Sequence, residues 1–251
     1  MRGRIYPSEL SPSLVPPGAG PSLPKGERDK RYDFYYMLVK TFPVGPFQCN
    51  CTILGDSDAG EAIVIDPGDD ADRILKELKK HSLSIKYIFH THAHIDHIGA
   101  TRKVHDAAKG KVCLHREDLF LYDNIAMQGE FLGLHIDPGV PSIDHYLNHG
   151  EIIEWGKQNR TEILHTPGHT PGSVTFIFKK LIRDQDVLFT GDTLFAGSIG
   201  RTDLWGGDYD QIIDSIKSKI LPFNDNVSVI PGHGPATTIG QERRKNPFLI
   251  G

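Results

Sequence analysis

Four times in this sequence a short apolar run ends in a glycine-bearing loop that offers an imidazole or a carboxylate. Ile85–Phe89 runs into HTHAHIDHIG, which carries His92, His94, Asp96 and His97. Glu162–Leu164 leads to HTPGHTPGS, with His169 between two Pro-Gly pairs. Val187–Thr190 runs into Gly191-Asp192-Thr193, and Val227–Ile230 into Pro231-Gly232-His233-Gly234. Strand ends are rigid, and Gly and Pro let the backbone turn sharply enough to aim the side chain that follows. Metal ligands must be held to within about 0.2 Å. Ligands on the strand ends of one scaffold meet that demand better than ligands on a floppy loop.

Counting the side chains suggests a binuclear centre. His92, His94 and His169 would hold one metal, Asp96, His97 and His233 a second, and the two carboxylate oxygens of Asp192 can bridge them. Imidazole mixed with carboxylate suits zinc, iron or manganese, and spacing alone does not choose among them; two divalent ions are expected, with zinc taken as the first candidate. Each residue alone has a dull reading: His169 as a turn histidine, Asp192 as an ordinary turn aspartate. The complete set is what points to metal. His90 is a candidate supporting residue beside the ligands, and His105, His115, His135, His145, His149 and His165 read as surface or structural.

Elsewhere the chain mixes strands and helices in the proportion of an α/β or α+β domain. Tyr36–Lys40, Cys51–Leu54, Ala62–Ile65, Lys111–Leu114 and Ser173–Phe178 read as further strands. Helical spacing predicts helices over Asp70–His81, Ala100–Ala108, Arg116–Met127 and Asp208–Lys219. No repeat and no internal linker interrupts 33–251, so one domain is expected there. Residues 1–32 include the Pro/Gly/Ser-rich PSELSPSLVPPGAGPSLPKG and are expected to be a flexible extension.

Twenty-eight basic residues against 32 acidic ones leave a net charge of −4, with no basic face for nucleic acid and no polybasic membrane patch. No apolar run approaches the roughly 18 residues of a membrane span. Three cysteines, Cys49, Cys51 and Cys113, form no disulfide framework, so a reducing, cytoplasmic setting is expected. A GxSxG elbow and a GxxxxGK phosphate loop are both missing from the sequence.

The motifs THAHIDH, PGHTPGS, GDTLF and PGHG, in this order, resemble those of the metallo-β-lactamase superfamily. The resemblance runs from about residue 36 to the end and implies a four-layer αββα sandwich with the metals at one edge between two sheets. FAGSIGRTDL at 195–204 and PGHGPATTIGQERRKNPFL at 231–249 resemble the short glyoxalase II-like hydrolases of bacteria. Lactamases of the superfamily often carry cysteine where Asp192 stands, which counts against antibiotic hydrolysis. Glyoxalase II itself continues into a helical C-terminal domain that helps hold glutathione.

The resemblance therefore implies a hydrolase cleaving a small hydroxyacyl-glutathione thioester such as S-lactoylglutathione. A metal-bridging hydroxide would attack, Asp96 would ligate and orient it, and no protein nucleophile would be needed. Arg201 is a candidate for binding substrate carboxylates, with a surface salt bridge as the alternative. Two rivals stand beside this reading. Gly200-Arg201-Thr202-Asp203 also resembles the persulfide dioxygenases, which hold one iron, here through His92, His169 and Asp192. A non-catalytic metal-binding scaffold is the other, although a structural zinc needs four closed ligands and seven are present.

Overall fold

A computed structural model describes residues 37–133, 139–182 and 184–250. The expected extension over 1–32 lies outside them, as does Tyr36; within the described residues the first strand covers Met37–Val44.

Two six-stranded sheets form the body of the protein. The first runs in chain order: β1 (Met37–Val44), β2 (Cys49–Asp56), β3 (Glu61–Ile65), β4 (Ser84–Phe89), β5 (Lys111–His115) and β6 (His145–Leu147). The second contains β7 (Ile152–Trp155), β8 (Asn159–His165), β9 (Val174–Ile182) and β10 (Gln185–Gly191). After a small hairpin, β11 (Leu194–Phe195) and β12 (Ser198–Ile199), it is completed by β13 (Ser228–Pro231) and β14 (Thr237–Thr238), in the order β14-β13-β10-β9-β8-β7.

The helices are α1 (Ala71–Lys80), the single turn α2 (Ile95–Ile98), α3 (Thr101–Ala108), α4 (Leu119–Asp123), α5 (Ile125–Leu132), α6 (Tyr209–Ser215) and α7 (Ile239–Lys245). Strand alternation sorts the apolar residues into three layers. Ile63, Phe89 and Cys113 from one sheet meet Trp155, Phe176 and Phe189 from the other. Phe89 stacks on Phe176 with centroids 4.8 Å apart, a contact worth about 0.5–1.5 kcal/mol beyond its buried area. On the outer face of the first sheet, Val64, Ile88 and Val112 pack against Ile74, Leu78, Val104 and Leu121 of the helices. Leu188 and Val229 of the second sheet pack against Ile212, Ile216 and Ile239. Helix, sheet, sheet, helix is the four-layer order expected.

Sheet direction positions the site. β8 and β9, and β9 and β10, are antiparallel, while β10 and β13 are parallel. The loops after β8, β10 and β13 therefore all leave at one edge. That edge is tied to the first sheet by Val174 N–H on Thr91 O (2.8 Å) and Asn50 N–H on Gly232 O (2.7 Å).

Two expected helices differ in detail. The segment from Arg116 to Met127 is a 3-10 turn (Arg116–Asp118) followed by α4 and α5, broken at Asn124, whose side chain donates to Phe120 O instead. After α6 the chain widens into a π-helical turn over Ile216–Ile220. The short strands β6 and β7 and helix α7 were not anticipated from the sequence.

Candidate metal centre

The histidine loop after β4 closes into the one-turn helix α2 rather than staying extended. Helical spacing sends Ile95 and Ile98 into the core and leaves Asp96 and His97 facing the edge. All seven predicted ligands meet there. His92, His94 and His169 lie with ligating atoms in mutual reach, as do Asp96, His97 and His233. His94 Nδ1 faces His169 Nε2 at 2.9 Å, and His97 Nε2 faces His233 Nε2 at 3.3 Å.

Asp192 stands between the two groups. Its Oδ2 is 3.7 Å from His169 Nε2 and 3.6 Å from His233 Nε2, and its Oδ1 is 3.4 Å from His97 Nε2. Asp96 Oδ2 lies 3.1 Å from His233 Nε2 and 3.7 Å from His97 Nε2.

The outer nitrogens of four histidines are anchored, which decides their tautomers. His169 Nδ1–H donates to Arg201 O (2.8 Å) and His233 Nδ1–H to Phe47 O (3.0 Å), because a carbonyl can only accept. Thr91 Oγ1–H is spent on Asp66 Oδ2, so its oxygen accepts from His92 Nδ1–H at 3.1 Å. His97 Nδ1–H donates to Asp66 Oδ2 at 3.0 Å. Partners of this kind fix a ligand's orientation and leave its inner nitrogen for a metal.

Charge divides the site. Burial, and then the neighbouring imidazoles, holds His92 far below the ordinary histidine range and His94 down to about 3, so both are neutral at pH 7. Burial also lowers His169. In the second group burial opposes every charge but is outweighed. Asp192 and Asp96 stay below the carboxylate range because His97 and His233 face them. His97 and His233 in turn are raised by those carboxylates.

The donors fit metal. His92 Nε2 and Asp192 Oδ1 point into the cradle as buried polar atoms without a hydrogen bond, an expensive arrangement for a site with no cation in it. The far nitrogen of His94, Nε2, is buried and unbonded as well. Gly232 backs the cradle, since a Cβ there would land on Asp192 Oδ1 and the His97 ring.

Several contributors had no assigned role in the sequence reading. Asp66 takes Thr91 N–H (2.8 Å) along with its bonds to Thr91 Oγ1 and His97, and Asn50 Nδ2 holds Pro231 O and Gly234 O. Asp66 follows a strand and precedes Pro-Gly, the same punctuation that marked the ligands, so that signal was present. Cys49 Sγ packs 3.5 Å from His97 Nδ1.

Arg201 is on the loop that returns to the metal edge, but through its carbonyl. Its exposed guanidinium grips both oxygens of Asp203 at 2.7 and 2.8 Å, the surface salt bridge held open as the alternative to carboxylate binding. His90 touches none of the seven. Its Nδ1–H donates to Cys113 O and its Nε2 accepts from Thr101, pinning the loop to β5 and α3. His115, Glu117 and His165 also lie within ligating reach of one another. There the rings stack at 4.0 Å and His165 Nε2–H is committed to Pro171 O.

The family model of the metallo-beta-lactamase superfamily matches residues 44–233, and the chain belongs to that superfamily. Hydroxyacylglutathione hydrolase GloC of Haemophilus influenzae is 43% identical over 216 residues, 85% of this chain and 98% of that protein. Among solved structures, the BLEG-1 B3 metallo-beta-lactamase superposes with a TM-score of 0.78 at 41% identity, over 85% of this chain and all of its own. TTHA1623 in a di-iron-bound form superposes with a TM-score of 0.74 at 37% identity, over 84% of this chain and all of its own.

Proposed function

We propose that this protein is a metal-dependent thioester hydrolase acting on small hydroxyacyl-glutathione substrates of the S-lactoylglutathione type. The observation that carries the reading is the pair of ligand groups joined by Asp192, with inner nitrogens facing one another and buried donor atoms left without partners. When bound, two divalent ions, zinc foremost, supply an acidified water near neutral pH and a Lewis acid for a carbonyl oxygen.

The chain's own groups do the rest. Asp96 stays ionised at the more open side of the site, where it can accept a hydrogen bond from the attacking water and aim it. Asp192 holds both groups in one frame through its two oxygens. The buried first group excludes water from one flank. No side chain is offered as a nucleophile. Cys49 is sealed in the core, with burial pushing its thiol up to about 12, so it is no source of thiolate at pH 7.

The similarity to the Haemophilus hydrolase supports the substrate class, and the lactamase neighbour supplies the rival to test. The experiment compares thiol release from S-lactoylglutathione, opening of a chromogenic β-lactam, and oxygen uptake with a glutathione persulfide. Thiol release should exceed the other two by orders of magnitude. A β-lactam or persulfide preference would replace the reading.

A further inference from the structure

Asp118 closes the 3-10 turn after β5 and is completely buried, yet it belongs to neither ligand group. Its Oδ2 accepts from Ala93 N–H at 2.9 Å and from Thr170 Oγ1–H at 2.8 Å, and its Oδ1 accepts from Gly172 N–H at 2.6 Å. Ala93 lies between His92 and His94, and Thr170 and Gly172 follow His169. One carboxylate therefore joins the two loops that carry the whole first group. The fit is tight: a Cβ on Gly172 would meet Asp118 Cγ and Oδ1 at 2.7 Å. Gln128 completes the hold from the other side, with Nε2–H on Ala93 O (2.9 Å) and Oε1 accepting Ile95 N–H (3.0 Å). The peptide between the two loop histidines is thus gripped at both its N–H and its C=O.

We infer that Asp118 is a positioning residue that sets the separation of His94 from His169, and with it the affinity of the first group for metal. This rests on the metal-centre reading above. Asp118 is no ligand itself, because both oxygens are occupied by donors and it joins none of the clusters of ligating atoms. Its three bonds all go to ligand-bearing loops, so losing the carboxylate frees those loops to drift relative to one another. A shift of a few tenths of an ångström is enough to spoil a metal chelate.

In Asp118→Asn the shape is kept, but whichever way the amide turns, an NH2 faces a donor. The variants are tested with zinc alone, by competition against a chromophoric chelator, alongside the melting temperature of the metal-free protein. Asp118→Asn should weaken one zinc by roughly 10–100-fold and leave the other near wild type, the usual cost of losing an outer partner. Thr170→Val removes one bond to the same carboxylate and should weaken the same zinc less, while Thr170→Ser, which keeps the hydroxyl, should restore it. This pair also serves if Asp118→Asn fails to fold. Unchanged zinc affinities with only a lowered metal-free melting temperature would make Asp118 fold cement and overturn the inference. His94→Ala is the control: if it too keeps every zinc, or the wild type binds none, the metal-centre reading fails, and the inference with it.

Discussion

His92, His94 and His169 form a sealed group, at most 7% exposed, whose imidazoles are all held below the ordinary histidine range, whereas the second group sets the Asp96 carboxylate against two imidazoles raised above that range. The second group opens to solvent through Asp96 and His233, with His97 itself buried. Asp96 and His233 have side chains 20% and 27% exposed. The first group is oriented by neutral partners, a hydroxyl and a carbonyl. In the second, the Asp66 carboxylate orients His97 while the Phe47 carbonyl holds His233. The contrast teaches a division of labour on one frame. A histidine chelate in low dielectric would hold an ion without competition from water. A carboxylate-rich group at the rim is where water and substrate can arrive.

Asp192 is the single residue common to both halves, so its loss should erase the contrast. Asp192→Asn is expected to lower the affinity of both metals and to cost more turnover than any other single carboxylate change. Metal analysis with thiol-release kinetics checks this, and retention of two metals with near-normal rate would contradict it. Asp66→Ala should instead separate the halves. It removes the acceptor on His97 Nδ1 and should weaken the second metal by roughly 10–100-fold, as loss of an outer partner does. Chelator competition should find the first metal weakened less, through Thr91 and His92.

The convergence of the seven candidate ligands at one edge was legible in the sequence because each lies in a glycine-bearing loop that follows an apolar strand, and the loop chemistry of such ends is local. Layer order followed from family resemblance and was matched by the packing of Phe89, Ile88 and Leu188. What escaped was held by tertiary contact. Strand β6 has three residues and no pattern of its own, since its pairing with β5 defines it. Asp118 and Gln128 sit in a helical stretch that reads as ordinary, and only the folded chain brings them to Ala93. Arg201 was placed correctly by its spacing, but the guanidinium has Asp203 two residues away, and that local pair takes it.

Smaller effects lie away from the centre. His115 is depressed to about 4 by burial and then by the stacked His165. Its folded pKa lies below the unfolded value of about 6.5. The native state therefore binds fewer protons in that window, and stability is lost as pH falls from about 6.5 toward 4. His115→Asn, which can still accept Glu117 N–H, should make metal-free unfolding less steeply dependent on pH over that range. An unchanged slope would show that His115 does not contribute to the pH dependence. Least of all should change in Arg201→Ala: exposed pairs contribute little, and His169 is held by the backbone carbonyl. Melting temperature, metal content and KM for a glutathione thioester should stay at wild-type values, and a KM raised selectively for carboxylate-bearing thioesters would return the guanidinium to the substrate.

In the proposed function, two metals on one Asp192 frame perform hydrolysis. Its most direct test returns zinc stepwise to chelator-stripped protein while S-lactoylglutathione cleavage, bound zinc per chain and dissolved oxygen are followed together. Full turnover should require two zinc ions per chain, with oxygen constant throughout. Full turnover at one metal per chain, or oxygen consumed in step with product, would contradict it.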